Sequence, residues 1–326
     1  MLQEVFRIPF LNIPVFGYGL MLVVAFLAFI QISQFLARRS NIDPENFVNG
    51  TFIGLVIGVV GSRLSHVLEN WHEYTDPRFT LWHNLLHMIN VREGGLTFYG
   101  GFLLATPICI AYAVHKKMPL RRSMDIVAIG LMVGLGIGRV GCFLNGCCYG
   151  ERCDASWGVQ FPYHSPAYLE QLDKGEIQAP DTLFIPNPDL RGTHLATKDD
   201  LRHLPELKPV AAEQKALPVL PTELYSTFNS LLLAAVLFAF YTLKPAPGRV
   251  FALMCLLEGT TRFLLEMVRV EPPLKPEWFG PLSIAQVTSI AVVLAGVVLW
   301  FTFPRFGTQD PLRAPGGRGF PATVTA

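Results

Sequence analysis

Long apolar runs separated by polar segments dominate the pattern of the chain. A helix needs about 20 mostly apolar residues to cross a bilayer. The runs predict seven such spans, at 14–36, 51–67, 96–114, 124–144, 224–243, 251–268 and 282–303. The second, fourth and sixth spans also carry ionisable residues, among them Arg63, Arg139 and Glu266. The pattern therefore predicts an all-α polytopic membrane protein with seven transmembrane helices.

The basic residues of the short loops predict how these spans are oriented. Lys and Arg favour the cytoplasmic side. On one side the loops and the tail carry Arg38, Arg39, Lys116, Lys117, Arg121, Arg122, Lys244, Arg249, Arg305, Arg313 and Arg318. The other side carries only Arg7, Arg78, Arg92, Arg269 and Lys275 in its short segments. We therefore expect the N-terminus outside and the C-terminus in the cytoplasm.

The spans divide the chain into four parts. Residues 1–146 hold spans one to four, with an outer interfacial segment at 69–95. Residues 147–220 are polar and Pro-rich, and they predict a small extracytoplasmic head. Residues 221–304 hold the last three spans, and 305–326 are predicted to be a disordered cytoplasmic tail. At the start of the chain, 2–13 are expected to form a short amphipathic helix on the outer surface.

Composition supports a membrane protein and excludes several other classes. Hydrophobic residues make up 51% of the chain and charged residues 16%, against about 25% charged in soluble proteins. A net charge of +1 offers no field for nucleic acid, so no nucleic-acid partner is expected. The six cysteines are too few for a disulfide-built scaffold. No cofactor is predicted.

Polar residues from five spans converge at one depth, in the outer leaflet. They are Tyr18 and Gly19, the segment 92–101, Arg139, the group Arg262, Glu266 and Arg269, and Gln286. Ionisable residues at membrane depth are costly and mark functional sites by default. This convergence is the strongest signal in the sequence.

Three arginines and one carboxylate at this depth favour a phosphate ligand. Arg262, Glu266 and Arg269 are spaced by four and three residues, so they share a helix face. A structural ion pair, or a snorkelling Arg139, is the alternative. Guanidinium groups bind phosphate oxygens in a bidentate manner, and a phosphate site in the outer leaflet suits a phospholipid headgroup.

Four cysteines crowd the outer end of span four and the loop after it: Cys142, Cys147, Cys148 and Cys153. Their spacing is not one that zinc sites commonly use, and no metal site is predicted. A disulfide on an oxidising face and simple apolar packing both remain open.

Several motifs resemble those of the prolipoprotein diacylglyceryl transferase family. The segment 138–150, GRVGCFLNGCCYG, resembles the family signature, and 94–101, GGLTFYGG, resembles its second motif. The segments 18–21, 262–269 and 283–286 resemble further motifs in the first, sixth and last spans. The resemblance covers about 16–303. The chain departs from many members at four positions. Tyr99 stands where many members have histidine, and Cys142 stands where many have asparagine. Cys147 stands in place of an acidic residue, and Glu258 in place of tyrosine.

The resemblance implies a seven-span bundle in the bacterial inner membrane, with its site facing the outer leaflet or periplasm. Its members move diacylglycerol from phosphatidylglycerol to the lipobox cysteine of a preprolipoprotein signal peptide and release glycerol phosphate. The predicted catalytic residues are Arg139, Arg262, Glu266, Tyr99 and Tyr18. The predicted substrate-binding residues are Arg139, Gly95, Gly100, Gly101, Asn145, Gly150, Arg269 and Gln286. A catalytically silent lipid-binding relative and a small-solute transporter are the alternatives.

Overall fold

The computed structural model of the chain describes residues 4–8, 13–75, 80–90, 95, 97–187, 192–198, 200–269 and 282–303. The predicted disordered tail, 305–326, and part of the segment 92–101 lie outside these residues. Two compact units make up the chain. Unit 1 contains Met1–Phe29, Ala128–Pro245 and Arg249–Thr302, and unit 2 contains Ile30–Val127, Ala246–Gly248 and Phe303–Ala326.

Most of the described chain is helical. The described α-helices are α1 (Gly17–Arg39), α2 (Pro44–Glu69), α3 (Trp71–Tyr74), α4 (Leu81–Ile89), α5 (Phe98–His115), α6 (Leu120–Asn145), α7 (Pro166–Asp173), α8 (Asp200–His203), α9 (Lys208–Glu213), α10 (Thr222–Thr242), α11 (Arg249–Glu266) and α12 (Ile284–Thr302). Two 3-10 turns lie at Asp181–Leu183 and Pro205–Leu207. The strands β1 (Glu4–Ile8) and β2 (Ile13–Phe16) pair antiparallel, as do β3 (Phe184–Asn187) and β4 (Gly192–Leu195).

Helices occur at all seven places where the apolar runs predict spans, namely α1, α2, α5, α6, α10, α11 and α12. Five of them, α1, α2, α6, α10 and α12, are long and apolar enough to cross a membrane. Helix α5 is apolar but shorter, and α11 carries the charged residues Glu258, Arg262 and Glu266. The prediction of a helical, multi-pass membrane protein is confirmed. Seven crossings and their orientation stay predictions.

In unit 2, glycines allow α2 and α5 to approach to backbone contact. A Cβ at Gly61 would lie 2.7 Å from the carbonyl oxygen of Gly100, and a Cβ at Gly100 would clash with Ser65. A Cβ at Gly101 would lie 2.8 Å from the carbonyl oxygen of Gly58. Small residues are what permits close helix crossings in membranes. Gly100 and Gly101 therefore have a packing role in this crossing.

Arg63 is buried on the candidate membrane span α2, and the structure gives it a structural role. Its Nε donates to the carbonyl oxygen of Met88 at 2.8 Å, and its Nη2 donates to that of His87 at 2.7 Å. Both carbonyls belong to the last turn of α4, where helical carbonyls lack partners within the helix. The buried guanidinium thus caps α4.

The first residues do not form the predicted amphipathic helix; that prediction is wrong. Residues 4–8 and 13–16 are two antiparallel strands instead. The sequence explains the difference, because Val5, Phe6, Ile8 and Val15 have high β propensity. In addition, Pro9 leaves too few residues before it for a stable helix.

Within unit 1, the segment between α6 and α10 folds around a hydrophobic cluster of its own. Phe161, Tyr168 and Leu183 are its largest fully buried side chains. Helix α7 begins at a favourable N-terminus, because the Ser165 hydroxyl accepts from the backbone of Tyr168 and Pro166 follows. The segment 147–220 therefore has the packed core that a small head requires, and its place outside the membrane stays a prediction.

Close packing between α11 and α12, also in unit 1, determines where the charged residues of α11 lie. A Cβ at Gly259 would lie 2.7 Å from the Cγ2 atom of Val293, and a Cβ at Gly296 would lie 3.0 Å from the Cβ of Cys255. The two glycines let the helices approach closely along their length. As a result, the end of α11 meets the start of α12.

Candidate functional site

Three charged residues near the end of α11 form a buried ion-pair cluster. Glu266 is only 1% exposed, and its Oε2 atom lies 3.2 Å from Nη2 of Arg262 and 3.5 Å from Nη1 of Arg269. The second carboxylate oxygen accepts from the Ser283 hydroxyl at 3.4 Å. The spacing of four and three residues predicts a shared face, and these contacts confirm it. Two guanidinium groups are thus held together by one carboxylate.

Ser283 and Gln286 close the start of α12 as a capping box. The Ser283 hydroxyl accepts from the backbone of Gln286 at 3.2 Å, and the Gln286 side chain accepts from the backbone of Ser283 at 3.0 Å. Gln286 therefore fixes Ser283, which in turn contacts Glu266. A direct contact between Gln286 and substrate stays a prediction.

Gly150 connects the head segment to the end of α11. It forms an antiparallel bridge with Arg269, and its backbone N–H donates to the carbonyl oxygen of Leu220 at 2.8 Å. A Cβ at Gly150 would lie 2.6 Å from Cγ2 of Thr222 and 2.7 Å from the carbonyl oxygen of Val268. Only glycine fits this close backbone approach, and the bridge positions Arg269 directly.

On α6, Arg139 lies about two turns before the end of the helix, with its side chain half-buried. Its neighbour Gly138 faces open space, whereas a Cβ at Gly141 would lie 3.3 Å from the ring of Tyr18 and 3.0 Å from Met21. The Tyr18 hydroxyl is in electrostatic range of Arg139. The structure thus brings together Tyr18 and Arg139, two of the predicted catalytic residues.

The turn after α6 gathers three thiols. Gly146 (φ 74°) ends the helix, and its N–H and that of Cys147 both donate to the carbonyl oxygen of Cys142. Cys148 also has a positive φ, 67°. The sulfurs of Cys142, Cys147 and Cys148 all lie within 4.8 Å of one another. All three are free thiols, and Asn145, a predicted substrate-binding residue, forms a hydrogen bond with Cys147.

Cys148 lies outside the helix, and its environment favours the thiolate. Hydrogen bonds from the other two thiols hold the pKa of the Cys148 thiol well below its usual range. The positive charges of Arg269 and Arg139 act in the same direction. Cys148 therefore interacts electrostatically with Arg139 on α6 and with Arg269, which follows the end of α11.

Two further carboxylates belong to this charged region. Glu223, in the first turn of α10, is fully buried, and both its carboxylate oxygens have no hydrogen-bond partner within the described part of the chain. It interacts electrostatically with Cys148, Arg269 and Arg139. Glu258 interacts in the same way with Arg262 and Arg139. The sequence analysis missed Glu223. The only sequence feature that could have pointed to it is a carboxylate at the start of an apolar helix.

The remaining predicted residues, Gly95, Tyr99, Gly100 and Gly101, belong to unit 2. Tyr99 lies in the first turn of α5 and is 43% exposed. Gly95 has a φ of 71°, and its carbonyl oxygen accepts from Nη1 of Arg63 at 3.2 Å. A side chain at position 95 would clash with His66, so this position requires glycine for both reasons.

Comparisons with known proteins agree with these motifs. The profile of the prolipoprotein diacylglyceryl transferase family matches residues 3–302. A protein of Xanthomonas euvesicatoria pv. vesicatoria, named phosphatidylglycerol–prolipoprotein diacylglyceryl transferase, is 29% identical over 311 residues, which are 94% of this chain and 93% of that protein. The protein of the same name from Paraburkholderia xenovorans is 29% identical over 306 residues, 91% of this chain and 92% of its own length.

A third relative matches a shorter stretch. The protein of that name from Rhodopirellula baltica is 33% identical over 170 residues, which are 51% of this chain and 34% of the relative. The family profile covers nearly the whole chain, including every motif that carries the resemblance. The chain belongs to the prolipoprotein diacylglyceryl transferase family.

Proposed function

We propose that the chain transfers the diacylglyceryl group of phosphatidylglycerol to the lipobox cysteine of a preprolipoprotein. The products are a thioether and glycerol phosphate. The observation that carries this proposal is the buried cluster of Arg262, Glu266 and Arg269, found with Arg139 in a chain of this family. The names of the relatives contain phosphatidylglycerol and prolipoprotein, the same two classes of substrate.

The arginines of unit 1 suit the leaving phosphate. The thiolate sulfur attacks the glycerol carbon that bears the phosphate ester, and the carbon–oxygen bond breaks with its electron pair going to the phosphate. Negative charge therefore grows on phosphate oxygens in the transition state. Arg139 is proposed as the main phosphate ligand, with Arg262 and Arg269 assisting it, because preorganised donors of this kind lower the barrier most.

Glu266 is proposed as a positioning residue and not as the proton acceptor. Its carboxylate already accepts from two guanidinium groups and from Ser283. A carboxylate in this position fixes the direction of both arginines, and protonating it would break the cluster.

Glu223 is proposed as the acceptor of the thiol proton. Its two oxygens are buried without a hydrogen-bond partner in the described residues, and it interacts electrostatically with Cys148 and both nearby arginines. A general base needs an oxygen that is available to a proton, and Glu223 meets that requirement better than Glu266. Tyr18 and Tyr99 are proposed to hydrogen-bond the headgroup or the thiol.

The proposed setting is the bacterial inner membrane, with seven spans, the N-terminus outside and the head facing the periplasm. The distribution of basic residues supports this orientation. It places the outer ends of α6 and α11, and with them Arg139 and Glu266, at the leaflet where a secreted substrate emerges.

Mass spectrometry tests the proposed reaction directly. Purified protein is incubated with phosphatidylglycerol vesicles and a lipobox peptide that carries one cysteine, beside an Arg139→Ala variant. We expect a diacylglyceryl mass gain on the cysteine, absent with Arg139→Ala and with a peptide in which serine replaces the cysteine. If phosphatidylglycerol co-purifies with the protein and no gain occurs, the chain is a silent lipid-binding relative.

A further inference from the structure

Three thiols converge at the turn after α6, where two of them replace residues common in the family. Cys142 comes from the last turn of the helix, and Cys147 and Cys148 follow it directly. Their sulfurs all lie within 4.8 Å of one another. Three sulfurs bound to a tetrahedral zinc ion at about 2.3 Å lie about 3.8 Å apart. The separations in the structure, at most 4.8 Å, therefore exceed this spacing by no more than about 1 Å.

The backbone holds this arrangement in place. Gly146 and Cys148 both have positive φ values, 74° and 67°. For cysteine this conformation is unusual and costs energy, so its surroundings must hold it there. The carbonyl oxygen of Cys148 accepts from the Thr222 hydroxyl at 2.8 Å, which anchors the strained residue to α10.

We propose that Cys142, Cys147 and Cys148 bind one Zn²⁺ ion as three thiolates and leave its fourth coordination position open to a thiol. Zinc sites with three protein ligands keep such an open position, and thiolate sulfur is a preferred zinc ligand. Three thiolates and one Zn²⁺ carry a single negative charge. Arg139 and Arg269, which interact with Cys148, offset that charge.

The open position gives the zinc site a role in the reaction, and this step rests on the proposed function. The acceptor thiol of the lipobox binds zinc through its sulfur and passes its proton to Glu223. The zinc-bound sulfur forms the bond to the glycerol carbon, and the carbon–oxygen bond breaks with its electrons leaving on the phosphate. The neutral thioether is a weaker ligand than a thiolate, which favours release of the product.

Metal content tests the site without lipid chemistry. Full-length protein is purified in detergent under reducing conditions, loaded with Zn²⁺, desalted and analysed for metal. We expect one zinc ion per chain, and at least a tenfold weaker affinity in Cys147→Ser and in Cys148→Ser. The matched control is Cys153→Ser, because Cys153 belongs to the same segment and its sulfur accepts from the backbone of Ala155. It should bind zinc like the parent.

Cobalt tests the open position. With Co²⁺ in place of zinc, sulfur-to-cobalt charge-transfer absorption reports the number of bound thiolates. Adding the lipobox peptide should increase this absorption, whereas the serine peptide should leave it unchanged. No increase with the cysteine peptide would overturn the open position.

Two other results would overturn the whole site. One is equal metal affinity in the parent and in Cys147→Ser. The other is a disulfide among the three cysteines in protein isolated from cells, shown by the mass of the alkylated peptide. If zinc and peptide bind as expected and no lipid is transferred, the metal site stands and the proposed function fails. If transfer proceeds equally in zinc-free protein, the proposed function stands and the role of zinc fails.

Discussion

At the residue scale, Arg139 is the side chain on which the proposed transition state depends most. Losing one preorganised charged donor costs about 3–4 kcal/mol, so Arg139→Ala should lower kcat/KM by about 10²–10³-fold. Arg139→Lys keeps the charge but loses the planar fork and should retain part of the activity. The exposed Arg152 provides the control, since Arg152→Ala should leave the rate unchanged. A loss below tenfold in Arg139→Ala would remove Arg139 from the central role.

Replacing Glu266 tests whether it positions the arginines. Glu266→Gln leaves two guanidinium groups without their carboxylate, and breaking a buried ion pair costs about 3–5 kcal/mol. We expect a lower Tm in detergent and a large loss of activity. Glu213→Gln, at an exposed carboxylate of the head, should change neither. Since a proton acceptor need not stabilise the fold, a Glu266→Gln protein with unchanged Tm and no activity would contradict the positioning role.

Glu223→Gln separates the two proposed carboxylate roles. Both oxygens of Glu223 lack hydrogen-bond partners in the described residues, so glutamine should keep or raise the Tm while removing the proton acceptor. A loss of kcat with KM unchanged is expected in the transfer assay. Full activity in Glu223→Gln would assign the proton to another group.

Sequence analysis identified contacts between residues close together in the chain and missed contacts between residues far apart in it. Arg262, Glu266 and Arg269 lie within two turns, so helical spacing alone predicts their contact. Glu223 and Cys148 are far apart in the chain, and only the fold shows that they interact. Arg63 has the same intramembrane signal as Arg139, but its guanidinium caps α4. Charge at membrane depth therefore identifies important residues without distinguishing structural from chemical roles.

At the element scale, the crossing of α2 and α5 depends on glycine. Gly100→Leu forces a side chain into the backbone of α2. It should lower the free energy of unfolding by about 1–3 kcal/mol or more, the usual cost of overpacking. The matched control is Gly58→Leu on α2, because a Cβ at Gly58 meets open space. Thermal unfolding in detergent compares the two. Equal Tm values would contradict the close crossing.

Helix α7 of the head should respond to acid through Glu170. Burial alone would raise the pKa of Glu170, but hydrogen bonds from Lys174 and Tyr149 outweigh burial and lower this pKa. A lowered folded pKa contributes stability that is present above the unfolded pKa, about 4.3, and is lost as pH falls through the folded value. Below about pH 4, amide exchange in α7 should therefore rise in the parent relative to neutral pH, after correction for intrinsic rates.

The control for this pH effect is Glu170→Gln, which cannot titrate. Its corrected exchange in α7 should show little change over the same pH range. If parent and variant respond identically, groups other than Glu170 cause the acid sensitivity of the helix.

Element types were easier to predict than the pairings between them. Apolar runs located all seven long helices, because a membrane span is encoded in contiguous residues. Their ends agree to within about four residues except at the start of α2, which begins at Pro44 where the sequence predicts a span from residue 51. The N-terminal strand pair was missed although Val5, Phe6, Ile8 and Val15 favour strands, because such short strands become stable only by pairing with each other. Neither the glycine crossing of α2 and α5 nor the core of the head could be derived, since both depend on residues distant in the chain.

At the scale of the whole molecule, the number of membrane crossings decides where the head lies. Helix α5 has 18 residues, and so does α11. At 1.5 Å per residue each is about 27 Å long, close to the roughly 30 Å of a bilayer core. With seven crossings and the N-terminus outside, the head is outside and the loop between α5 and α6 is inside. If only α1, α2, α6, α10 and α12 cross, the head lies inside and the loop between α5 and α6 lies outside. The C-terminus stays inside in both cases.

Reporter fusions therefore distinguish seven crossings from five. Alkaline phosphatase, which is active only outside the cytoplasm, is inserted after Gly175 in the head or after Lys117 in the loop between α5 and α6. We expect activity at Gly175 and none at Lys117, with a cytoplasm-dependent fluorescent reporter giving the opposite pattern. Reversed results at both positions, together with a C-terminal fusion that reports the cytoplasm, would mean that α5 and α11 do not cross. The C-terminal end of α6, with Arg139, would then face the cytoplasm, and a secreted lipobox cysteine could not reach Arg139 from outside.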